Sequence, residues 1–237
     1  RAGRRGRGLG RSGLTATPKR ERVPEIWETG PVDPAGATAR REHRPRGSEV
    51  VTANGTLTES QQARRTRMLQ AAEELAVQGG WDGVQMREVA QRAEVALGTL
   101  YRYFPSKEHL LVSVMLDEVG QLADRLSVRP PRGDDPVERV NDVLRRANRV
   151  LNRQPDVTVA MIRALVAGNP DVAPVVSQVR ASMRRIISDA LEVEGDVVAI
   201  DLLTDVWLAA LVSWITGVAT ADRVVERLEE ATGVLLG

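Results

Sequence analysis

The sequence predicts an all-α protein with two helical domains. Apolar side chains recur every three or four residues through most of residues 59–237, which is the period of a helix that buries one face. No alternating apolar run bounded by hairpin turns occurs there, so strands are not expected. Pro105 ends a cluster of short helices. We therefore place an N-terminal domain at 59–105 and a C-terminal domain at 106–237.

Residues 1–58 are expected to be disordered. They hold an Arg/Gly run at 1–11 and five prolines, and no apolar period survives in them. With 12 Lys and Arg against 6 Asp and Glu, the segment could be a basic arm that adds nonspecific affinity for DNA. A second interpretation stays open. The chain does not begin with Met, and Val50 could mark a true start at a GTG codon, which would make residues 1–50 a gene-calling artefact.

The first predicted helix starts at a capping box. Thr58 and Gln61 have the spacing at which each side chain bonds to the other residue's backbone. An apolar stripe follows as far as Gln78, and the glycines at 79–80 supply a left-handed stop. Trp81 is expected in the loop beyond, where it plugs the base of the N-terminal domain.

Two short helices with a tight turn between them come next. The first is predicted over about 85–93 and the second from about Leu97 to Pro105, because an interior proline breaks a helix. Residues 93–96 leave room only for a turn. This is helix-turn-helix geometry, in which the second helix can enter the major groove of DNA.

The second helix carries groups suited to contact DNA. Both tyrosines and the only phenylalanine lie in residues 101–104, and a helix turns by about 100° per residue, so these four cannot all point inward. Leu100 and Phe104 are assigned to the core, whereas Tyr101 and Tyr103 are favoured as DNA contacts. Arg102 has two open roles, reading a guanine or clamping a phosphate. The candidate DNA contacts are Arg64, Arg65, Gln85, Met86, Leu97, Gly98, Thr99, Tyr101, Arg102, Tyr103 and Lys107.

The composition argues against several classes of protein. Without cysteine there can be no disulfide or thiol nucleophile, which suits a cytoplasmic protein. The two histidines, His43 and His109, lie far apart, so no metal site is expected. No Ser-His-Asp set, phosphate-binding loop or carboxylate pair can be assembled, so we expect no catalytic residues. Residues 59–237 hold 21 Lys and Arg against 26 Asp and Glu, and the acidic C-terminal domain should face away from DNA.

The C-terminal domain begins with a long linking helix. Ser106 can cap it, and apolar residues recur as far as Leu126. After a break at 129–133, further helices are predicted at 135–154, 156–167, about 170–193, 196–220 and 222–236.

Residues 206–221 contain no charge and are apolar on every face. The run is shorter than the roughly 20 residues that span a bilayer, so no membrane contact is expected. Such a helix should be buried on all sides, partly by a second copy of the chain. The predicted interface residues of a four-helix homodimer are Val206, Ala210, Val218, Val224, Leu228 and Leu235.

This layout resembles the TetR family of bacterial transcriptional repressors. The matching residues are 67–72, 79–81, 89–90, Ala93 and the unbroken string 98–107. Residues 84–87, 97–107, 109–113 and 205–208 further resemble the KstR branch, which represses sterol catabolism in actinobacteria. The resemblance implies a homodimeric repressor of lipid or sterol catabolism genes that leaves a palindromic operator when a small effector binds.

An effector cavity is expected between the linking helix and the helices that follow. Methionines suit an adaptable cavity, and the scarcity of Phe and Tyr beside many Val and Ala leaves room for a flat apolar ligand. An ordinary core is the other interpretation. The candidate wall residues are Met115, Val119, Leu122, Met161, Leu165, Met183, Trp207 and Trp214. The resemblance implies a coenzyme A thioester of a cholesterol-derived acid, whose phosphates could meet Arg163, Arg180, Arg184 or Arg185.

Two other functions remain open. The chain could be an architectural DNA-binding protein that uses the basic arm, and weak sequence preference with a steep salt dependence would mark it. It could also be a TetR-type regulator of another ligand, such as a fatty acyl-CoA or a drug-like cation. Acidic residues near the cavity would favour a cation, and Asp201 and Asp205 are the candidates.

Overall fold

The structure, a computed structural model, describes residues 58–192 and 197–237. Within these ranges it contains nine α-helices, one short 3-10 turn and no strand, so the all-α prediction is confirmed. The predicted disorder of the N-terminal segment falls on residues outside the described ranges. The helices are α1 (Glu59–Gly83), α2 (Met86–Arg92), α3 (Leu97–Tyr103), α4 (Lys107–Val128), α5 (Pro136–Arg153), α6 (Pro155–Val166), α7 (Ala173–Leu191), α8 (Val197–Ile215) and α9 (Ala221–Leu236).

Helix α1 begins as the sequence predicts and ends differently. The Thr58 side chain accepts a bond from the Gln61 backbone N–H (3.3 Å), and the Gln61 side chain accepts one from the Thr58 N–H (2.8 Å). The predicted stop at the glycine pair is a kink. Gly80 has φ +56°, a conformation that glycine adopts without strain, and a further turn then continues to Gly83. Trp81 therefore lies in that added turn and not in a loop.

Helix α8 is shorter than predicted. It ends at Ile215, where the N–H of Gly217 bonds to the Trp214 carbonyl (3.0 Å) and the N–H of Val218 bonds to the Ser213 carbonyl (2.9 Å). With φ +75° at Gly217, this is the Schellman pattern that terminates helices. The apolar composition of 206–221 hid that stop.

The helices enclose two apolar cores. The first joins α1, α2 and α3 to the first half of α4, to α6 and to the start of α7. The second joins the rest of α4 to α5, α7, α8 and α9. Helix α6 contributes Val157, Ala160, Met161 and Ala164 to the first core, so a helix of the C-terminal domain completes the core of the N-terminal domain.

Phe104 provides a test of this packing. Its side chain is 1% exposed in the first core, and truncation of a buried aromatic ring costs about 3–5 kcal/mol. Phe104→Ala is expected to lower the free energy of unfolding in urea by about that amount. Val128→Ala, at a residue that is 80% exposed, should change it by no more than about 0.5 kcal/mol. Equal effects would mean that Phe104 does not anchor the domain.

Candidate DNA-reading surface and effector cavity

Helices α2 and α3 are joined by a closed turn. The N–H of Val95 bonds to the Ala90 carbonyl (2.9 Å), and Glu94 adopts the left-handed conformation with φ +54°. The carbonyl of Ala96 then accepts bonds from the first turn of α3. Leu100 holds α3 in place because its side chain is fully buried. The predicted helix-turn-helix is therefore formed.

The outer face of α3 is open to solvent. Gly98, Tyr101 and Arg102 are exposed, with 46% of the Tyr101 surface accessible, and Thr99 is half-buried beside them. Within the described part of the chain, no hydrogen bond or ion pair holds the Arg102 guanidinium. A tyrosine and an unpaired arginine on one helical face can donate to phosphate oxygens or base edges.

The other candidates on α1 and α2 differ in exposure. Gln85 is exposed in front of α2, and its amide donates to the Asp82 carbonyl (2.9 Å). Arg64 is half-buried on α1. Met86 and Leu97 pack against the first core, so they support the two short helices from inside. Arg87 was missed by the sequence analysis; it is exposed in the first turn of α2, and its charge directly after Met86 was the available signal.

Tyr103 and Arg65 lie inward, which corrects the expectation that both reach DNA. The Tyr103 hydroxyl is buried and has no hydrogen-bond partner among the described residues. The Arg65 guanidinium lies 5.7 Å from the Phe104 ring centroid, and burial lowers the pKa of Arg65. Arg65 became a candidate because of its charge, and that charge makes a cation–π contact with Phe104. Tyr103 became a candidate because of its hydroxyl, and its phenol ring packs against the core.

Lys107 is held by Trp81, so its ammonium is not free as the expected DNA contact. Its ammonium donates to the Trp81 carbonyl and lies 4.2 Å from the centroid of the Trp81 ring. Arg163 of α6 lies over the same ring at 5.2 Å. Burial lowers the pKa of Lys107, and the charge of Arg163 lowers it further. Trp81 thus connects the end of α1 with the start of α4 and with α6.

His109 lies at the same junction. Its ring centroid is 6.0 Å from that of Phe104, and its Nδ1 is buried with no hydrogen-bond partner in the described ranges. Burial, and then the charge of Arg65, lower the pKa of His109, whereas Asp171 acts in the opposite direction.

A mainly apolar cavity opens between α4 and helices α5 to α8. Its atom-free space is about 860 Å³ with the open mouth included. Seven of the eight predicted wall residues line it; Trp214 instead packs in the second core outside the cavity. The seven are Met115, Val119, Leu122, Met161, Leu165, Met183 and Trp207. The Trp207 N–H donates to Asn148 (3.2 Å), so it is not offered to a ligand.

The arginines expected to meet coenzyme A phosphates are mostly committed elsewhere. Arg184 makes a two-pronged pair with Asp201, at 2.6 and 2.7 Å from its two carboxylate oxygens, and Arg180 is hydrogen-bonded to Asp205. Arg163 lies on Trp81, and the exposed Arg185 does not line the cavity. Both aspartates that would favour a cationic ligand are neutralised by these arginines. Among the described residues, no cluster of His, Asp or Glu could hold a metal ion.

Half of the predicted dimer residues are buried inside the chain. Ala210, Val224 and Leu228 are at most 5% exposed in the second core, so the apolar stripe of α9 faces α5 and α8. Val206 and Leu235 are half-buried, and Val218 is 81% exposed. Leu202 and Val234 are further exposed apolar side chains on α8 and α9. An interface built on Ala210, Val224 and Leu228 is therefore wrong.

A helix-turn-helix joined to a second helical domain is an arrangement typical of transcriptional regulators that bind DNA. Two family models match the chain, "Bacterial regulatory proteins, tetR family" over residues 68–114 and "Tetracyclin repressor-like, C-terminal domain" over residues 133–235. The chain belongs to the TetR family, and its curated relatives are named repressors, so it is a DNA-binding regulator and not an enzyme.

Three comparisons locate the chain within the family. It is 40% identical to the transcriptional repressor KstR of Rhodococcus jostii over 82% of this chain and 94% of that protein. It is 38% identical to a TetR regulator of Rhodococcus sp. RHA1, with a TM-score of 0.70 over 75% of this chain and 98% of that structure. Thermus thermophilus FadR in complex with lauroyl-CoA shares the fold, at 23% identity and a TM-score of 0.59, over 73% and 93% of the two chains.

The buried imidazole of His109 predicts a pH dependence of stability. Because the pKa of His109 is lowered in the folded chain, the unfolded chain takes up this proton first as the pH falls below about 6.5. Stability is therefore lost from about pH 6.5 downwards to the folded pKa. His109→Gln is expected to show a smaller loss of unfolding free energy between pH 7.5 and 5.5 than the parent chain. His43→Gln, which changes the only other histidine, should keep the full loss; the reverse pattern would refute the assignment.

Proposed function

We propose that the chain is a homodimeric repressor that leaves a palindromic operator when an apolar effector, a sterol-derived acyl-CoA, fills the cavity. The observation that carries this proposal is the position of Met161. This residue lines the cavity and is also buried in the core shared with α1 and α4. A ligand in the cavity therefore presses on a side chain that supports the DNA-reading helices. Such a regulator acts on DNA in the cytoplasm.

The proposed DNA contacts come from the exposed face of α3 and its neighbours. Thr99, Tyr101 and Arg102 read the major groove with the backbone at Gly98, and Gln85 and Arg64 lie towards the flanking phosphates. Gly98 is exposed, and among the described residues no atom beyond its chain neighbours and the backbone of its own helix lies within 4 Å of where a Cβ would be, so its backbone is open to a close approach. Arg87 is added to this set for its exposed charge.

Dimerisation is proposed through α8 and α9. Only about a third of the residues in the most apolar 18-residue stretch of α8 are buried within the chain. Leu202, Val218 and Val234 are exposed. Such a surface is costly in water, and a second copy related by a two-fold axis would cover it. By length and composition α8 is also long and apolar enough to cross a membrane, a property that core helices of soluble proteins share. Two copies would set the α3 helices about one helical turn of DNA apart, roughly 34 Å.

The coupling is proposed to run through Trp81. In the sequence of α6, Arg163 stands between Ile162 and Leu165, both of which line the cavity. Its guanidinium lies over the Trp81 ring, beside Lys107. A ligand that displaces α6 would remove one of the two cations from the ring and free the end of α1. The ligand shifts the equilibrium by its difference in affinity between the two states.

The ligand class rests on two supports. The resemblance to the KstR branch implies a sterol-derived acid thioester, and the wide cavity of aliphatic and methionine side chains accommodates a flat apolar body. The neighbouring FadR fold was solved with lauroyl-CoA, which makes a fatty acyl-CoA the second candidate. Asp201 and Asp205 give no support to a drug-like cation, because each is paired with an arginine.

The deciding experiment is a gel-shift titration with the DNA directly upstream of its own gene. We expect tight, palindrome-dependent binding that a sterol-derived acyl-CoA releases and lauroyl-CoA releases less well. Release by lauroyl-CoA alone would discard the sterol and keep the repressor. Equal binding to unrelated DNA with a steep salt dependence would favour the architectural protein.

Arg102 tests the DNA-reading surface. Arg102→Ala is expected to weaken operator binding by about 1–3 kcal/mol, because an arginine that contacts a base or phosphate has no replacement on that face. Arg132→Ala removes an exposed arginine between α4 and α5 and should leave the affinity unchanged. If both variants bind like the parent chain, α3 does not read DNA through Arg102.

Arg163 tests the coupling separately from either binding event. Arg163→Gln is expected to bind the effector in thermal-shift titrations while the operator complex becomes about tenfold less sensitive to it, since coupling energies are typically about 1–3 kcal/mol. Arg132→Gln is the matched control and should respond like the parent chain. Full release from the operator by the Arg163 variant would show that coupling bypasses Trp81.

A further inference from the structure

The apolar cavity adjoins a polar groove on the side of α4. The groove and the cavity share Glu118, Arg125, Val150, Leu151 and Met161 as lining residues. On its outer side the groove adds side chains that carry charge or hydrogen-bonding groups, among them Glu73, Gln121, Arg153 and Gln154. A ligand with an apolar body and a polar end can therefore occupy both spaces, with its polar end passing Glu118 and Arg125.

The ion pair at this boundary is loose. The Glu118 carboxylate and the Arg125 guanidinium are 4.0 Å apart, and the only hydrogen bond found for the Arg125 side chain among the described residues goes to Gln121 at 3.4 Å. Glu118 is 19% exposed and Arg125 is 48% exposed. Burial, reinforced by the charge of Glu73, raises the pKa of Glu118. The carboxylate is thus held in a place that disfavours its charge, next to an arginine that it does not fully satisfy.

The charged pair at the opposite side of the cavity is different. Arg180 also lines the cavity, but its guanidinium is hydrogen-bonded to Asp205, and that bond raises the pKa of Arg180. A ligand anion would have to break this bond to reach Arg180. At Arg125 it would replace a distant carboxylate and find a second cation, Arg153, on the wall of the groove.

Resting on the proposed effector role of the cavity, we propose that Arg125 selects ligands with an anionic end and that Glu118 is the internal competitor which the anion displaces. Charged groups at a site entrance give specificity when they match the charge of the ligand and repel the wrong one. The ligand class is an amphiphile whose apolar body fills the cavity and whose carboxylate or phosphate group reaches Arg125.

Four probes with the same twelve-carbon body separate charge from fit: laurate, lauroyl-CoA, the uncharged 1-dodecanol and dodecylammonium. Their dissociation constants are measured on the full chain by calorimetry. Arg125→Gln is expected to weaken both anionic probes about fivefold, and Glu118→Gln to tighten them about threefold, as expected for a partly exposed charge contact. Neither change should move 1-dodecanol by more than about twofold. Loss confined to lauroyl-CoA would identify phosphates as the anion, and loss confined to laurate would identify a carboxylate. Loss of both would mean that Arg125 accepts either anion.

Arg125→Lys, which keeps the charge, should recover most of the affinity, and so excludes a simple loss of folding. Arg180→Gln and Asp205→Asn are the matched controls at the other pair, and neither should reproduce the effects. Loss of anion affinity in Arg180→Gln with a normal Arg125→Gln would overturn the proposal. The proposal would also be overturned if all four probes bind and their dissociation constants change equally in every variant. That result would still support an effector role of the cavity. If neither these probes nor a sterol-derived acyl-CoA binds the parent chain, the proposed function fails and this inference falls with it.

Discussion

The rest of the structure depends on one shared core at helix α6. Met161 is 2% exposed and packs with α1 and α4 while bordering the cavity. Protein interiors are packed about as densely as organic crystals, so a change of volume on one side of a buried residue is felt on the other. The helix-turn-helix has no separate core that would shield it from the C-terminal domain. Packing alone therefore places the cavity in mechanical contact with the helix-turn-helix.

The positive charges near the N-terminal domain are divided between two tasks. Lys107 and Arg163 lie on Trp81, and Arg65 lies on Phe104, so three cations are used to hold helices together. Arg102 and Arg87 remain exposed. In the described part of the N-terminal domain few cations are left free, and a few phosphate contacts per subunit give modest affinity for DNA. A dimer doubles the number of these contacts, which is why it suits the proposed operator binding.

The sequence predicted local features well and the contacts of long side chains poorly. Helical period and capping residues located the helices, and seven of the eight proposed wall residues surround one cavity. Spacing identifies an apolar face but not its partner, which is why Val224 and Leu228 were assigned to a dimer and lie in the chain's own core. Tyr103, Arg65 and Lys107 were misplaced for a related reason. A long side chain chooses among partners several ångströms away, and those partners come from other helices that no local pattern reveals.

The position of Trp81 makes the chain its own optical reporter. The indole lies at the joint between the domains with two cations over its ring, whereas Trp207 faces the cavity. The sequence holds four tryptophans, Trp27, Trp81, Trp207 and Trp214. Each indole's fluorescence depends on its immediate surroundings, so a chain that keeps only Trp81, with Phe at the other three positions, would report events at the joint. A chain that keeps only Trp207 would report occupancy of the cavity. Because the chain has no cysteine, a single thiol introduced at exposed Val128 would accept a dye at one position only. Motion at the joint and filling of the cavity can therefore be timed separately, in two variants of the same chain.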